Sequence, residues 1–249
     1  MNKIALITGG TSGIGLAAAE LLLENQFSVI VTGRRADRLA EFQSKHEKNK
    51  VYTLCFDIRN EEEVVAALDS LPNEWKNVHV LVNNAGLAWG LGKFFEGQLN
   101  HWNTMIDTNI KGLLYISRII SNGMRERKEG HIVNIGSIAG KEVYMNGNIY
   151  CATKHAVDAL TKAMRLELAE FNVRVTGIHP GAVETEFSEV RFDGDKERAK
   201  AVYQGFENLI AADIADAILY VVSRKPHVNI NDLVIMPTAQ PAAGVIYRV

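Results

Sequence analysis

Lys3-Ile4-Ala5-Leu6-Ile7-Thr8-Gly9-Gly10-Thr11-Ser12-Gly13-Ile14-Gly15 is the stretch that decides the fold. Lys3 to Thr8 is a short apolar run of strand character, and a helical pattern follows from Leu16 to Asn25. Between them lie four glycines and two small hydroxyl residues, more than a tight turn needs. Strand, glycine-rich turn and helix in that order form a pyrophosphate cradle. Gly9, Gly13 and Gly15 let the backbone approach closely, while Thr11, Ser12 and Ile14 bring N–H groups to the positive end of the helix.

The next strand, around Ser28 to Thr32, indicates which nucleotide is expected. Folds of this kind that bind NAD place an Asp or Glu there for the ribose 2′-hydroxyl. This chain reads Thr32-Gly33-Arg34-Arg35, with no carboxylate and two guanidiniums. Arginine forks suit a 2′-phosphate, so Arg34 and Arg35 predict NADP.

Further along, apolar strands alternate with helical patterns, without repeat, linker or low-complexity tract. Strands are predicted at Ile4–Thr8, Val29–Thr32, Val51–Phe56, Val78–Val82, His131–Ile135, Arg174–Ile178 and Leu233–Ile235. Helices are predicted at Gly15–Asn25, Glu61–Ser70, His101–Arg127, Ile149–Phe171 and Ala212–Val222. Val/Ile/Leu-rich strands separated by helices imply a parallel sheet covered on both faces. The expected architecture is α/β, a single doubly wound Rossmann-like domain over 1–249 with a mainly parallel seven-stranded sheet. Residues 184–205, polar and without strand character, are the expected substrate lid.

The chain has 249 residues and a net charge of −2, which gives no electrostatic reason to expect nucleic acid or an anionic membrane surface. No apolar run approaches the ~18 residues of a membrane span, and no room for a targeting segment precedes Lys3. Two cysteines, Cys55 and Cys151, make no disulfide framework, so a cytoplasmic location is expected. The seven histidines show neither His-x-x-x-His nor Cys/His ligand spacing, and no metal is expected. Ser137 lacks a Gly-x-Ser-x-Gly elbow, which argues against a hydrolase triad.

Tyr150 and Lys154 stand four residues apart in a helical pattern, so phenol and ammonium share a face. A free tyrosine, with a pKa of about 10, is a poor base at neutral pH. A neighbouring cation favours the phenolate, and a lowering of ~2 units corresponds to about 2.7 kcal/mol. The spacing alone is weak; with the nucleotide motif beside it, it indicates acid–base chemistry. Asn83-Asn84-Ala85-Gly86 follows a buried strand and also reads as a plain turn. Asn109 sits mid-helix, where asparagine is disfavoured, and a core hydrogen bond would account for it.

Taken in order, the Thr8–Gly15 motif, Asn83-Asn84-Ala85-Gly86, Asn109, Ser137, Tyr150 with Lys154, and Pro180-Gly181 resemble a short-chain dehydrogenase/reductase over essentially the whole chain. Within that family, NNAGLAWG (83–90), WNTMIDTNIKG (102–112), EVRFDGD (189–195) and HVNINDLVIMP (227–237) resemble the NADP-dependent 3-hydroxy acid dehydrogenases. The resemblance implies hydride transfer with Asn109, Ser137, Tyr150 and Lys154 as catalytic residues. Tyr150 would move the substrate proton, Ser137 would bond the substrate oxygen, and Lys154 would also bond the nicotinamide ribose. Asn109 would kink its helix and hold a water serving the lysine. It further implies that Asn83, Ala85 and Gly86 wall the adenosine, that Asp57 and Ile58 touch the adenine, and that Pro180, Gly181, Val183 and Thr185 flank the nicotinamide. Family members commonly form homotetramers through the helix at Ile149–Phe171, where Ala152, Ala156, Ala159 and Ala163 make a small-residue stripe.

Arg191 lies in the lid among acidic neighbours. It is either a solvated arginine paired with Asp193 or Asp195, or a cation that grips a substrate carboxylate. The second reading selects small 3-hydroxy acids such as serine, L-allo-threonine or 3-hydroxypropionate. The rivals are a 3-oxoacyl-carrier-protein reductase, a non-catalytic NADP-binding protein, and an epimerase or dehydratase on the same fold.

Overall fold

In the computed structural model, which describes residues 3–47 and 50–249, seven strands form one parallel sheet in the order β3-β2-β1-β4-β5-β6-β9. The strands are β1 (Ile4–Thr8), β2 (Ser28–Gly33), β3 (Val51–Cys55), β4 (Val78–Asn83), β5 (Gly130–Ile135), β6 (Val173–Pro180) and β9 (Asp232–Ile235). The seven expected strands are these, to within two residues at each end. Two more, β7 (Val183–Glu184) and β8 (Leu209–Ile210), pair with each other outside that sheet.

Among the described residues nine α-helices connect the strands: α1 (Gly13–Glu24), α2 (Ala36–Lys45), α3 (Glu61–Asp69), α4 (Leu99–Ile106), α5 (Leu113–Arg127), α6 (Asn148–Leu168), α7 (Phe187–Arg191), α8 (Lys196–Ala201) and α9 (Ala211–Val222). The strands alternate their side chains between two cores. Ala5 and Ile7 of β1 pack with α1, α2 and α9 on one face, and Ile4 and Leu6 pack with α3 and α5 on the other. On α9, Ile214 and Ile218 are fully buried one turn apart. Each such side chain contributes about 1.5–3 kcal/mol through burial.

Three segments depart from the sequence reading. Helix α2 was not foreseen, because ADRLAEFQSK buries only Leu39 and Phe42 and is otherwise polar. The predicted helix His101–Arg127 starts earlier and is interrupted by a π turn at Asp107–Gly112. The 184–205 segment is not featureless: it holds α7 and α8, and its root is fastened by the β7–β8 pair. Among the described residues no helix is long and apolar enough to cross a membrane.

Strand β1 lies between β2 and β4, with Ile7 opposite Val31 and Val82. The connections leave β1 and β4 toward opposite directions of the sheet, so a crevice opens at their carboxyl ends, where doubly wound sheets bind ligands.

Candidate active site

That crevice is the mouth of a cavity of about 480 Å³ that runs from the glycine loop to Tyr150. At one end Gly9 and Gly13 take positive φ values of 65° and 51°. A Cβ on Gly15 would lie 2.4 Å from Asn84 Nδ2 and 2.5 Å from the Gly9 carbonyl oxygen, so this position must be glycine for the loop to close. Ser12 caps α1 without a side-chain bond to the helix, and the first turn holds no acid. The free N–H groups and the positive helix end therefore face the cavity unneutralised. These features fit a pyrophosphate.

Thr8 fastens the glycine loop to the loop after β4. Its Oγ1 accepts from the backbone N–H of Asn84 (3.0 Å) and of Ala85 (2.9 Å). Asn84 Nδ2 in turn donates to the carbonyls of Thr8 and Gly9. Asn83 does not reach the cavity. As the last residue of β4 its side chain points into the core, where it donates to Ser117 Oγ and Asn134 Oδ1, both at 2.8 Å. Asn84, Ala85 and Gly86 line the wall in its place, as do Asp57 and Ile58 beside Arg34.

Arg34 and Arg35 both line this end but differ in their bonds. Arg34 is largely exposed, with Asp57 at 3.8 Å. Arg35 donates to Ser12 Oγ (2.8 Å), Thr11 Oγ1 (3.1 Å) and Glu186 Oε2 (2.9 Å). Arg38 reaches the other oxygen of Glu186 at 2.7 Å. Neither Arg38 nor Glu186 was indicated by the sequence. Three guanidiniums at the ribose end fit a phosphorylated ribose, with Glu186 and Asp57 partly offsetting them.

At the other end, α6 carries Tyr150 and Lys154 to one wall, and the turn after β5 brings Ser137 there. Lys154 is buried, and its Nζ donates to the Ile135 carbonyl oxygen at 2.9 Å. Burial lowers its pKa from 10.5 to about 8. Burial also pushes the Tyr150 phenol above its ordinary value, and the Tyr144 hydroxyl adds to that, while Arg191 and Ser137 oppose it. Ser137 Oγ accepts from the Ala139 N–H at 3.1 Å and lies 3.5 Å from the Pro180 carbonyl oxygen.

Asn109 stands behind the cavity wall, in the π turn. Its Oδ1 accepts from the Leu87 N–H and its Nδ2 donates to the Leu87 carbonyl, both at 2.8 Å, and to Thr153 Oγ1 at 3.0 Å. A core hydrogen-bonding role thus accounts for a residue the helix disfavours, and the extra residue of the turn aims it. A Cβ on Gly86 would sit 3.2 Å from Asn109 Oδ1 and 3.6 Å from Lys154 Nζ.

Pro180, Gly181, Val183 and Thr185 line the cavity between its two ends, and Thr185 packs against Gly13. Arg191, at the end of α7, faces Tyr150. Its Nη2 donates to Tyr144 Oη at 2.7 Å, and Tyr144 is a lining residue without a sequence motif. Neither expected acidic partner is engaged with it. Asp193 accepts from Trp89 Nε1 and Asp195 caps α8.

Asp158, His179 and Asp232 also come together, under the Pro180 loop. Lys141 bonds Asp158 at 2.6 Å and Asp232 at 3.3 Å, Lys162 bonds Asp158 at 2.7 Å, and Arg165 stands 3.5 Å from Asp232. The carboxylates are thus engaged in an ion-pair network that joins β6, β9, α6 and the Ser137 turn.

Comparisons with known proteins agree with this geometry. The family model for short chain dehydrogenases matches residues 3–196. A probable NADP-dependent dehydrogenase from Haemophilus influenzae is 46% identical over 96% of this chain and 95% of its own length. The NADP-dependent 3-hydroxy acid dehydrogenase YdfG of Escherichia coli K12 is 44% identical, covering 97% of each chain. A solved closed form of serine dehydrogenase complexed with NADP+ superposes with a TM-score of 0.94 at 43% identity, covering 99% of both chains. Cradle, tyrosine–lysine wall and these likenesses together place the chain in the short-chain dehydrogenase family.

Proposed function

We propose that this protein is an NADP(H)-dependent oxidoreductase acting on the 3-hydroxyl or 3-carbonyl of a small hydroxy acid, with serine, L-allo-threonine and 3-hydroxypropionate as the compounds to test. When bound, NADP(H) supplies the hydride acceptor or donor. The chain's residues do the rest. The glycine loop and α1 hold the pyrophosphate, Arg34, Arg35 and Arg38 hold the 2′-phosphate, and Asp57, Ile58, Ala85 and Gly86 border the adenosine. The segment Pro180 to Thr185 flanks the nicotinamide. In oxidation Tyr150 Oη takes the substrate proton, and in reduction it returns it. Ser137 Oγ holds the substrate oxygen beside Tyr150, and Lys154 keeps positive charge under the pair.

The observation that carries the substrate class is Arg191. Its guanidinium carbon is 5.0 Å from the Tyr150 ring centroid, and its hydrogen-bond partner among the described residues is the uncharged Tyr144 hydroxyl. A cation beside the proton-transfer group suits a substrate whose carboxylate is separated from the reacting carbon by one carbon atom, as in a 3-hydroxy acid. Oxidation there yields a 3-oxo acid, an aldehyde where C3 is primary and a ketone where it is secondary. The assay is NADPH-dependent reduction of such an acid beside a neutral carbonyl at neutral pH. Arg191→Ala should lower the ratio of the two kcat/KM values about tenfold or more, the loss of one charged bond. An unchanged ratio removes Arg191 from substrate recognition, and no turnover of any 3-hydroxy acid or its oxidised form removes the substrate class.

We further propose a homotetramer paired through α6. Ala152 and Ala159 on that helix are exposed and Ala156 and Ala163 half-buried, with Leu166 81% exposed, so packing on its own sheet does not account for the stripe. A monomer by light scattering at micromolar concentration would count against it.

A further inference from the structure

Two cations flank Tyr150, and the sequence pairs it with only one. Lys154 Nζ lies 6.0 Å from the ring centroid and is bonded to the Ile135 carbonyl. Arg191 comes from a segment remote in sequence and places its guanidinium carbon closer, at 5.0 Å. The same guanidinium stands 5.5 Å from the Phe187 ring and 6.0 Å from the Tyr144 ring, an aromatic surround. Its Nε is buried without a partner among the described residues. Among the acids of its segment, Glu186 pairs with Arg35 and Arg38, Asp193 accepts from Trp89 and Asp195 caps α8.

We propose that Arg191 is a second charge partner of Tyr150, carried in by the α7 segment, and that an anionic substrate withdraws this support by pairing with the same guanidinium. The second half rests on the substrate reading given above; the first does not. A cation over a tyrosine ring favours phenolate over phenol, because the ionised ring is the more negative. The other groups facing Tyr150 are the Ser137 hydroxyl from the β5 turn, the Tyr144 hydroxyl from the loop before α6, and Cys151 and Lys154 on α6 itself. Ser137 works in the same direction as Arg191, whereas burial, Tyr144 and Cys151 work against it. Oxidation needs the phenolate and reduction the phenol. An anion on Arg191 therefore favours the phenol, the form in which Tyr150 gives its proton in reduction.

The test is a pH titration of tyrosinate absorbance near 295 nm on the protein saturated with NADP+, with Tyr150→Phe identifying the Tyr150 signal. Arg191→Met should move that signal upward by about one to two pH units, the range for a charge 4–6 Å away. Arg191→Lys should recover most of the shift. Propionate, a carboxylate with no hydroxyl to oxidise, should move the wild-type signal in the same direction and leave Arg191→Met unaffected. If Arg191→Met unfolds, Arg191→Gln takes its place with the same expectation. Tyr150 titrating at one pH with and without the guanidinium, or in neither protein below pH 11, overturns the proposal even if Arg191 proves to bind anions. A shift in Arg191→Met with no response to propionate upholds the tuning and rejects the substrate half.

Discussion

The glycine loop assembles its ligand-binding groups within seven consecutive residues, Gly9 to Gly15, and presents mainly backbone. Around Tyr150 the groups come from the β5 turn, the loop before α6, α6 itself and α7, and they are side chains. At the first end, geometry follows from local conformation, in positive φ values and a helix start. At the second, it follows from packing between elements distant in sequence. The first end should therefore fail by losing cofactor, and the second by losing chemistry while cofactor still binds.

Tyr150→Phe makes the widest separation. It preserves the ring that packs on Phe187 at 5.6 Å and deletes only the oxygen. Turnover should fall ~10²–10⁴-fold while NADP titrates as in the parent. More than a tenth of the parental kcat would take proton transfer away from Tyr150.

At the opposite end, replacing Arg34 and Arg35 together with alanine should weaken NADP by tenfold or more, because each charge-assisted bond is worth ~1.5–3 kcal/mol. NAD, which lacks the 2′-phosphate, should change much less, and kcat at saturating cofactor should hold. Equal losses for the two cofactors in a binding titration would mean that these arginines shape the loop and do not recognise the phosphate.

The smallest effect concerns stability. Because the fold lowers the Lys154 pKa from 10.5 to about 8, the unfolded chain holds more protons than the folded one between those values. Stability from this group is then lowest below about pH 8 and rises with pH toward 10.5. Lys154→Met should melt a few degrees higher than the parent at pH 7, with the gap narrowing by pH 10, while its activity is lost. Melting curves at both pH values without added cofactor decide it, and a gap that widens with pH contradicts the assigned burial cost.

The contrast also explains what the sequence disclosed. The nucleotide cradle, the seven strands and the Tyr150–Lys154 face were legible because each depends on neighbours within one element. Glu186 bonds an arginine 151 residues away, and Tyr144 sits in a loop of no particular pattern, so neither could be found by spacing. The Asn83-Asn84 dipeptide was legible as a site but not residue by residue. Strand β4 runs through Asn83, and the pleat sends that side chain to the core and leaves Asn84 to meet the loop. The π turn at Asp107–Gly112 escaped because helical periodicity continues on both sides of it, whereas Asn109 itself marked the place.

The chain leaves through β7 and returns through β8, which pair directly, with α7, α8 and the rest of 192–208 between them. Its ends are held together whatever lies between them, and doubling the length of such a loop adds only about 0.6 kcal/mol of closure entropy. A change in length there costs little in closure entropy, and the stretch is tied to the site mainly through Tyr203, which bonds Ser188 and donates to the Val183 carbonyl. Descendants of this chain can remodel the cover of the cavity at Val202 and Tyr203 while keeping Arg191, the cradle and the Tyr150 wall.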